Sequence, residues 1–439
     1  MRGMRRIADR LVRILADVAA FYWFRSVEVS AIERVPPRGP VLVVANHGGG
    51  FVDPALLTSV LPRAPRYLAM ASLWSYVITR PFLALAGAIP VHRAQDGTTA
   101  GNLDSFAECH RVLREGGVVA IFPEGRASDA PHLLRVKTGA ARIALGARAA
   151  GAEGLSILPV GLMYEDKASA RSRAYVRIGT PLDLDAAIRA AGPRSAIDDR
   201  DHDAVEVLTE EIAARLSRAA LDFADAAELA ALEHAAGIAL RGSEGHGPRL
   251  GATQDLARRL AAAPGVADVV EAEGAYRQAL EAHAVTDRSV AVAPEHGFRR
   301  IHVAATVATL ALLPLAVVGA IVNLVPAAAV HLAGRPRMAP VTRATWKFLT
   351  AILLFPLAWV AWRYLAFGDL PHPWWWTLAA GPVCGLASLW VADRVRRAWR
   401  ARLDLRRLAA TGPALDELRR RRAGVIAAVE RSVGRPRPA

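Results

Sequence analysis

Between residues 28 and 185 the chain repeats one pattern, a short apolar run bounded by Gly or Pro followed by a stretch with helical spacing. Val41-Leu42-Val43-Val44-Ala45 is entered through Pro36-Pro37-Arg38-Gly39-Pro40, and Val118-Val119-Ala120-Ile121-Phe122 through Gly116-Gly117. Ile157-Leu158-Pro159-Val160-Gly161 and Ala174-Tyr175-Val176-Arg177-Ile178-Gly179 are two further runs of this kind. Such short runs, closed off by turn residues, read as buried strands. Residues 103–113 and 138–149 have helical character. Strands alternating with helices restrict this segment to an α/β domain, a mixed sheet flanked by helices.

The rest of the chain has a different texture. Residues 186–300 are Ala-rich and charged, with breaks at Gly192-Pro193, Gly245-His246-Gly247-Pro248 and Ala263-Pro264-Gly265. They read as a helical accessory segment without evident chemistry. From Ile301 the sequence becomes strongly apolar. Val303 to Leu332 contains no Asp, Glu, Lys or Arg and is interrupted by Pro314, Asn323 and Pro326. It fits either one tilted span or two half-helices that re-enter. Residues 348–367 and 374–392 are second and third candidate transmembrane helices, the last opening on Trp374-Trp375-Trp376, an interfacial anchor.

The basic residues order these segments. Arg299 and Arg300 precede the first, Arg335, Arg337, Arg343 and Lys347 separate the first and second, and Arg394, Arg396, Arg397, Arg400 and Arg402 follow the third. Residues 368–373 carry no Lys or Arg. The positive-inside rule then places both long flanks in the cytoplasm and makes the second and third segments a hairpin. The first must enter and leave on one side. The expectation is a cytoplasmic (inner) membrane protein with its α/β domain facing the cytoplasm, a membrane region over 301–393 and a basic cytoplasmic tail over 394–439.

Residues 1–27 add a basic segment. Ile7, Leu11, Ile14, Val18 and Phe21 recur at helical spacing, with Arg5, Arg6, Arg10 and Arg13 around the same helix and Phe21-Tyr22-Trp23-Phe24 at its end. Asp9 and Asp17 interrupt every apolar run, so no signal-peptide core is present. Two readings stay open: an amphipathic helix lying in the membrane interface, or one docked on the protein core.

The 439 residues carry a net charge of +14, and 53% are hydrophobic. A positive excess suits either nucleic acid or an anionic membrane surface. No helix-turn-helix spacing, zinc-finger ligand set or RNA-binding aromatic motif is present, and much of the Arg flanks apolar segments. The expected partners are therefore membrane lipids, with no nucleic acid. Cys109 and Cys384 are the only cysteines and lie far apart, which leaves no disulfide framework. His, Asp and Glu do not cluster at ligand spacing, so neither a metal nor a bound cofactor is expected.

The chemistry-bearing block is Asn46-His47-Gly48-Gly49-Gly50-Phe51-Val52-Asp53, directly after a strand. A His at a strand end sits at the sheet rim, where α/β sites form. An Asp six residues on, across a glycine turn, can fold back to the imidazole and make it a general base. The same block invites a rival reading, since His-Gly-Gly-Gly-Phe looks like the oxyanion loop of some esterases. Those enzymes need Gly-x-Ser-x-Gly, and no serine here meets that spacing. A membrane lipid esterase and a non-catalytic membrane scaffold are two readings that stay open at this point.

Three more blocks follow: Gly87-Ala88-Ile89-Pro90-Val91-His92-Arg93, then Phe122-Pro123-Glu124-Gly125-Arg126 with Lys137-Thr138-Gly139-Ala140-Ala141-Arg142, then Ile157-Leu158-Pro159-Val160-Gly161. In this order the four blocks resemble the phospholipid/glycerol acyltransferase superfamily, over roughly residues 25–185. Lys137 to Arg142, Arg171-Ser172-Arg173-Ala174 and the broken apolar segment look like its glycerol-3-phosphate/dihydroxyacetone-phosphate branch. The resemblance implies a catalytic domain over 28–185. It also implies acyl-CoA or acyl carrier protein as co-substrate, and glycerol 3-phosphate, dihydroxyacetone phosphate or a lysophospholipid as acceptor. His47 would deprotonate the acceptor hydroxyl with Asp53 orienting it, without a covalent acyl-enzyme. Arg93 would hold the acceptor phosphate, and Glu124, Gly125, Arg126 and Lys137 would shape the substrate site. The backbone N–H groups of Gly48, Gly49 and Gly50 are expected to stabilise the developing oxyanion. Two features depart from the pattern. Five residues separate His47 from Asp53 where many members have four, and Ala127 stands where many carry a hydroxyl.

Overall fold

The computed structural model describes residues 2–77, 79–92, 102–190, 198–220, 223, 225–241, 247–291, 298–334, 337–367, 374–411 and 414–435. They divide into two compact units, one of Met1–Asp225 with Ala339–Thr345, the other of Ala226–Met338 with Trp346–Ala439.

In the first unit, helix α1 (Arg2–Trp23) leads into β1 (Phe24–Ser30), β2 (Val41–Ala45), α2 (Val52–Val60), β3 (Arg66–Met70), α3 (Thr79–Ala86) and β4 (Ile89–Val91). Then come α4 (Asn102–Arg114), β5 (Val118–Ile121), α5 (Gly139–Ala149), β6 (Ser156–Tyr164), β7 (Ser172–Ile178), β8 (Leu182–Asp183), α6 (Leu184–Ala190) and α7 (His202–Ala219). The strands form one sheet in the order β1-β7-β6-β2-β5-β3-β4, with β8 beside β6. The sheet is mixed. β2 runs parallel to β5 and β6, whereas β7 and β8 pair antiparallel with β6. The four expected strands fall on β2, β5, β6 and β7, and the two expected helices on α4 and α5, with Phe122, Gly179 and Thr138 each one residue outside the element.

Every residue of β2 is at most 1% exposed, which explains why the strand reads as an unbroken apolar run. Leu42 and Val44 join a core with Cys109 and Leu113 of α4, Ile143 and Leu145 of α5, and Leu208, Ile212 and Leu216 of α7. Alternation turns Val41, Val43 and Ala45 to the opposite face. Each fully buried Val or Leu there contributes about 1.5–3 kcal/mol. Helix α7 is why this unit continues to Asp225 rather than stopping near 185, since its buried stripe completes the core over the sheet.

Helix α1 combines both sequence readings. It packs beside α2 and α3, and its Ala16, Ala20 and Trp23 are buried. Two of its arginines serve that contact. Arg13 donates to the carbonyl of Leu61, the C-cap of α2, and Arg5 donates to the carbonyl of Ala86, the last residue of α3, at 3.0 Å. Such cations satisfy carbonyls that helix ends leave open. Asp9 bridges Arg5 and Arg66. The predicted apolar stripe faces outward instead: Ile7, Leu11, Ile14, Val18 and Phe21 are 44–70% exposed.

The second unit is helical: α8 (Ala226–Leu240), α9 (Leu250–Ala261), α10 (Val266–Ala282), α11 (Asp287–Ala291), α12 (Phe298–Val322), α13 (Leu324–Ala333), α14 (Pro340–Phe367), α15 (Trp374–Thr411) and α16 (Ala414–Val433). The first residues of α14 group with the other unit. Asp287, 5% exposed, accepts from Arg241 at 2.7 Å, Arg422 at 2.9 Å and Tyr276 at 3.2 Å, joining α8, α10, α11 and α16.

Among the described residues one helix, Pro340–Leu365, is long and apolar enough to cross a membrane. Thr306–Val322 and Leu324–Ala333 reach that standard only together, bent by 60°. The interruption falls at Asn323, whereas Pro314 lies inside α12 without ending it. The groups freed at the break are satisfied locally. Asn323 Nδ2 donates to Gly319 O at 2.8 Å, Trp359 Nε1 donates to Asn323 Oδ1 at 2.9 Å, and Trp362 Nε1 donates to Val322 O at 3.1 Å. Residues 374–392 form the first half of the 38-residue α15, whose described residues do not make a further such span.

Candidate active site

The site begins where β2 leaves the sheet. Asn46 extends the strand pairing with its side chain: Nδ2 donates to Leu162 O at 3.0 Å, and Leu162 N–H donates to Asn46 Oδ1 at 2.7 Å. This fixes the exit direction of the next residue, His47. The chain then turns through Gly48, Gly49 and Gly50, the last with φ +63°, and enters α2, whose first turn contains Asp53.

That turn brings the two together. His47 Nδ1 lies 2.7 Å from Asp53 Oδ2, with the carboxylate fully buried and the imidazole 19% exposed. Gly49 N–H donates to both Asp53 oxygens, at 3.0 and 2.9 Å. Tyr164, at the end of β6, donates its O–H to Asp53 Oδ1. A carboxylate on Nδ1 places that proton there and leaves Nε2 as the basic nitrogen. Phe122 stacks on the imidazole, with ring centroids 4.2 Å apart and planes inclined by 13°. A Cβ at Gly49 would lie 2.5 Å from Asp53 Oδ1, so this turn needs glycine there.

Glu124 stitches a second loop to the first. Its Oε1 accepts His47 N–H at 2.8 Å and its Oε2 accepts Leu134 N–H at 3.1 Å. Ser128 N–H returns to His47 O at 2.9 Å. Burial pushes the Glu124 carboxyl above its ordinary range, and the two backbone donors partly oppose that rise. A cleft opens against these groups, lined by Asn46, His47, Gly48, Glu124, Ser128, Ala130, His132 and Leu133. A neutral imidazole at such a rim, held by a buried carboxylate, can take a proton from a bound hydroxyl and return it to a leaving group.

The structure therefore brings together His47, Asp53, Gly48 and Glu124. Gly125 follows on the Glu124 loop, and the Lys137 ammonium lies over it, 2.6 Å from where a Cβ would stand. Arg126 and Lys137 are exposed. Arg93 lies outside the described residues. One expectation needs correction. The Gly49 N–H is committed to Asp53, so it is not a donor for an oxyanion. Both oxygens of Glu124 hold backbone amides and thereby fix the two loops that line the cleft. Sequence reasoning did not single out Tyr164 or His132 as parts of the site. No motif spacing marks Tyr164, because its closeness to Asp53 comes from strand register alone.

The catalytic-looking turn, the Glu124 loop and β6 all fall within residues 26–163, the stretch matched by the family model described as Acyltransferase. This domain belongs to the acyltransferase family. The acyltransferase domain has curated relatives of several kinds. An uncharacterized acyltransferase of Schizosaccharomyces pombe is 26% identical over 269 residues, 40% of this chain and 39% of that protein. Glycerol-3-phosphate O-acyltransferase 2 of Saccharomyces cerevisiae is 40% identical over 85 residues, 19% of this chain and 11% of that protein. Lyso-ornithine lipid O-acyltransferase of Rhizobium meliloti is 31% identical over 130 residues, 29% of this chain and 42% of that protein. The chain thus spans less than half the length of each.

Proposed function

We propose that the protein is an O-acyltransferase of glycerolipid metabolism. It moves a fatty acyl group from acyl-CoA or acyl carrier protein to a hydroxyl of glycerol 3-phosphate, dihydroxyacetone phosphate or a lysophospholipid. The observation that carries this reading is the His47–Asp53 pair at 2.7 Å on the rim of the cleft, inside an acyltransferase domain. Two of the relatives support it through their names, one acting on glycerol 3-phosphate and one on a lyso-ornithine lipid.

In this reading His47 Nε2 takes the proton of the acceptor hydroxyl as its oxygen attacks the thioester carbonyl. The C–S bond breaks, and the imidazolium returns the proton to the departing thiolate. Asp53 stabilises the imidazolium, which removes the need for a covalent acyl-enzyme. Arg93 binds the acceptor phosphate, a task suited to a planar guanidinium, with Lys137 and Arg126 as further cations beside the Glu124 loop. Gly48 and Gly50 remain as backbone donors for the oxyanion.

The substrate class calls for a membrane. The outward stripe of α1 supports contact with one: its apolar side chains are exposed while its arginines hold the protein. The apolar helix Pro340–Leu365 and the bent pair before it support anchoring. The distribution of Arg supports a cytoplasmic-membrane protein whose acyltransferase domain faces the cytoplasm.

The test is acyl transfer by membranes containing the full chain. Labelled acyl-CoA or acyl carrier protein is supplied with each acceptor in turn, beside a His47→Ala control. Transfer to one acceptor, lost in H47A, is the expected result. Transfer that survives H47A, or none with any donor and acceptor from folded protein, sinks the reading.

A further inference from the structure

Asp53 is held at three points. His47 Nδ1 meets Oδ2, Gly49 N–H bridges both oxygens, and the Tyr164 hydroxyl meets Oδ1. The imidazole and the phenol thus hold opposite oxygens of one carboxylate. This arrangement fixes rotation about Cβ–Cγ, so Oδ2 stays aimed at the imidazole.

The placement of Tyr164 follows from the sheet. β2 and β6 run parallel, with Ala45 opposite Val160. Asn46 and Leu162 continue that pairing beyond the strand end. Two residues further along β6, Tyr164 reaches the level of the glycine turn, where its ring lies against Gly49. Phe24 stacks on the phenol, with centroids 5.9 Å apart and planes inclined by 16°. A second phenol, Tyr67 on β3, is near but engaged elsewhere: it donates to Pro54 O at 2.9 Å and lies 3.0 Å from Thr58 Oγ1.

We propose that Tyr164 is a positioning residue for acyl transfer, holding the Asp53 carboxylate so that it orients and tunes His47; this rests on the His47–Asp53 reading above. The phenol keeps its proton throughout. Burial and the Asp53 charge hold its pKa well above the ordinary value, so it is a permanent donor at working pH. The phenol's donation draws carboxylate charge toward Oδ1, and removing it leaves more of that charge on Oδ2, facing the imidazole. Among the described residues, Glu124 from the loop after β5, His132 in the cleft lining and Tyr67 from β3 also face this pair. None of these three donates to Asp53.

The test compares Tyr164→Phe with the wild type as full-length protein in membranes. One readout is the pH profile of kcat/KM. The other is the rate at which diethyl pyrocarbonate modifies His47, followed by mass spectrometry across pH, which needs no substrate. Y164F is expected to lower kcat roughly tenfold or more while KM for donor and acceptor moves less than about twofold. The acid limb and the His47 modification curve should both move to higher pH by about half a unit or more. Phe24→Leu loosens the stack but keeps the hydroxyl, and its acid limb should match the wild type. If Y164F does not fold, 3,5-difluorotyrosine at 164, a stronger donor of nearly the same shape, should move both curves to lower pH.

Wild-type kcat with unmoved curves in Y164F overturns the proposal. So does lost activity with unmoved curves, or an F24L profile that shifts with Y164F, since each marks a packing role. Failure of the underlying reading looks different, because H47A would then retain transfer whatever Y164F does.

Discussion

Asn46→Ala is the most direct probe of how the fold delivers the site. Two hydrogen bonds disappear, of 3.0 and 2.7 Å, and both end on the backbone of Leu162. Leu162 is 3% exposed, so its N–H and C=O lose their partners inside the sheet. Orphaning a buried backbone group costs about 1–3 kcal/mol, which would make 2–6 kcal/mol for the pair. Asn46 lines the cleft, so water can follow the truncated side chain and recover part of this. The expected loss is therefore near the lower end, about 2–3 kcal/mol. Urea unfolding of detergent-solubilised protein, followed by tryptophan fluorescence, measures it. Asn46→Asp sharpens the result, since it keeps an acceptor for Leu162 N–H but sets an oxygen against Leu162 O. N46D should lose stability comparably. Because His47 is the next residue, both variants should also reduce kcat by roughly tenfold with smaller effects on KM. An N46A protein within about 0.5 kcal/mol of wild type, with full kcat, would refute the view that this side chain is part of the strand pairing.

Other outcomes follow from the same geometry. Gly49→Ala drives a Cβ to 2.5 Å from Asp53 Oδ1, and kcat should fall about a hundredfold while the circular-dichroism spectrum stays close to wild type. Glu124 has a raised folded-state pKa, so it binds its proton more tightly folded than unfolded. Its stabilising contribution is then fullest at acid pH and declines as pH rises through the raised value. Measured by thermal unfolding, the deficit of Glu124→Gln relative to wild type should be larger near pH 4 than at neutral pH. Arg422→Ala removes one of two cations from buried Asp287 and one of the donors to Ile238 O, so the helical unit should lose about 2–3 kcal/mol in urea unfolding with kcat unchanged.

The sheet was legible because its central strands are buried on both faces and therefore uniformly apolar, as in Val41 to Ala45. β1 and β4 were harder to see. β1 carries the polar sequence Phe24-Arg25-Ser26-Val27-Glu28-Val29-Ser30 on the sheet edge, and β4 is three residues long. His47, Asp53 and Glu124 were readable as a site because the His–Asp spacing is local and the Glu124 block resembles a known motif. Tyr164 was not, since it reaches Asp53 across 111 positions of chain and only the β2–β6 register brings it there. The direction of α1 was half legible. Its spacing marked the apolar stripe, but only the backbone carbonyls of Leu61 and Ala86 show that the arginine side is the docked one. The accessory helices concealed their extent for a similar reason: α7 belongs with the sheet through Val205, Leu208, Ile212 and Leu216, a stripe that a charged, Ala-rich sequence partly hides.

Three successive glycines would ordinarily make the softest stretch of a chain. Here the middle amide is tied to a carboxylate, the carboxylate to an imidazole, and the imidazole's own backbone to Glu124, so the turn closes on itself like a clasp. The consequence concerns time. A site that must close around its substrate waits microseconds to milliseconds for each rearrangement. A clasp already shut has no such wait. Under the proposed reaction, no time would then be lost to shaping the turn around each acceptor, and the pace of turnover would be left to proton transfer at His47 and to the passage of acceptor and product through the cleft.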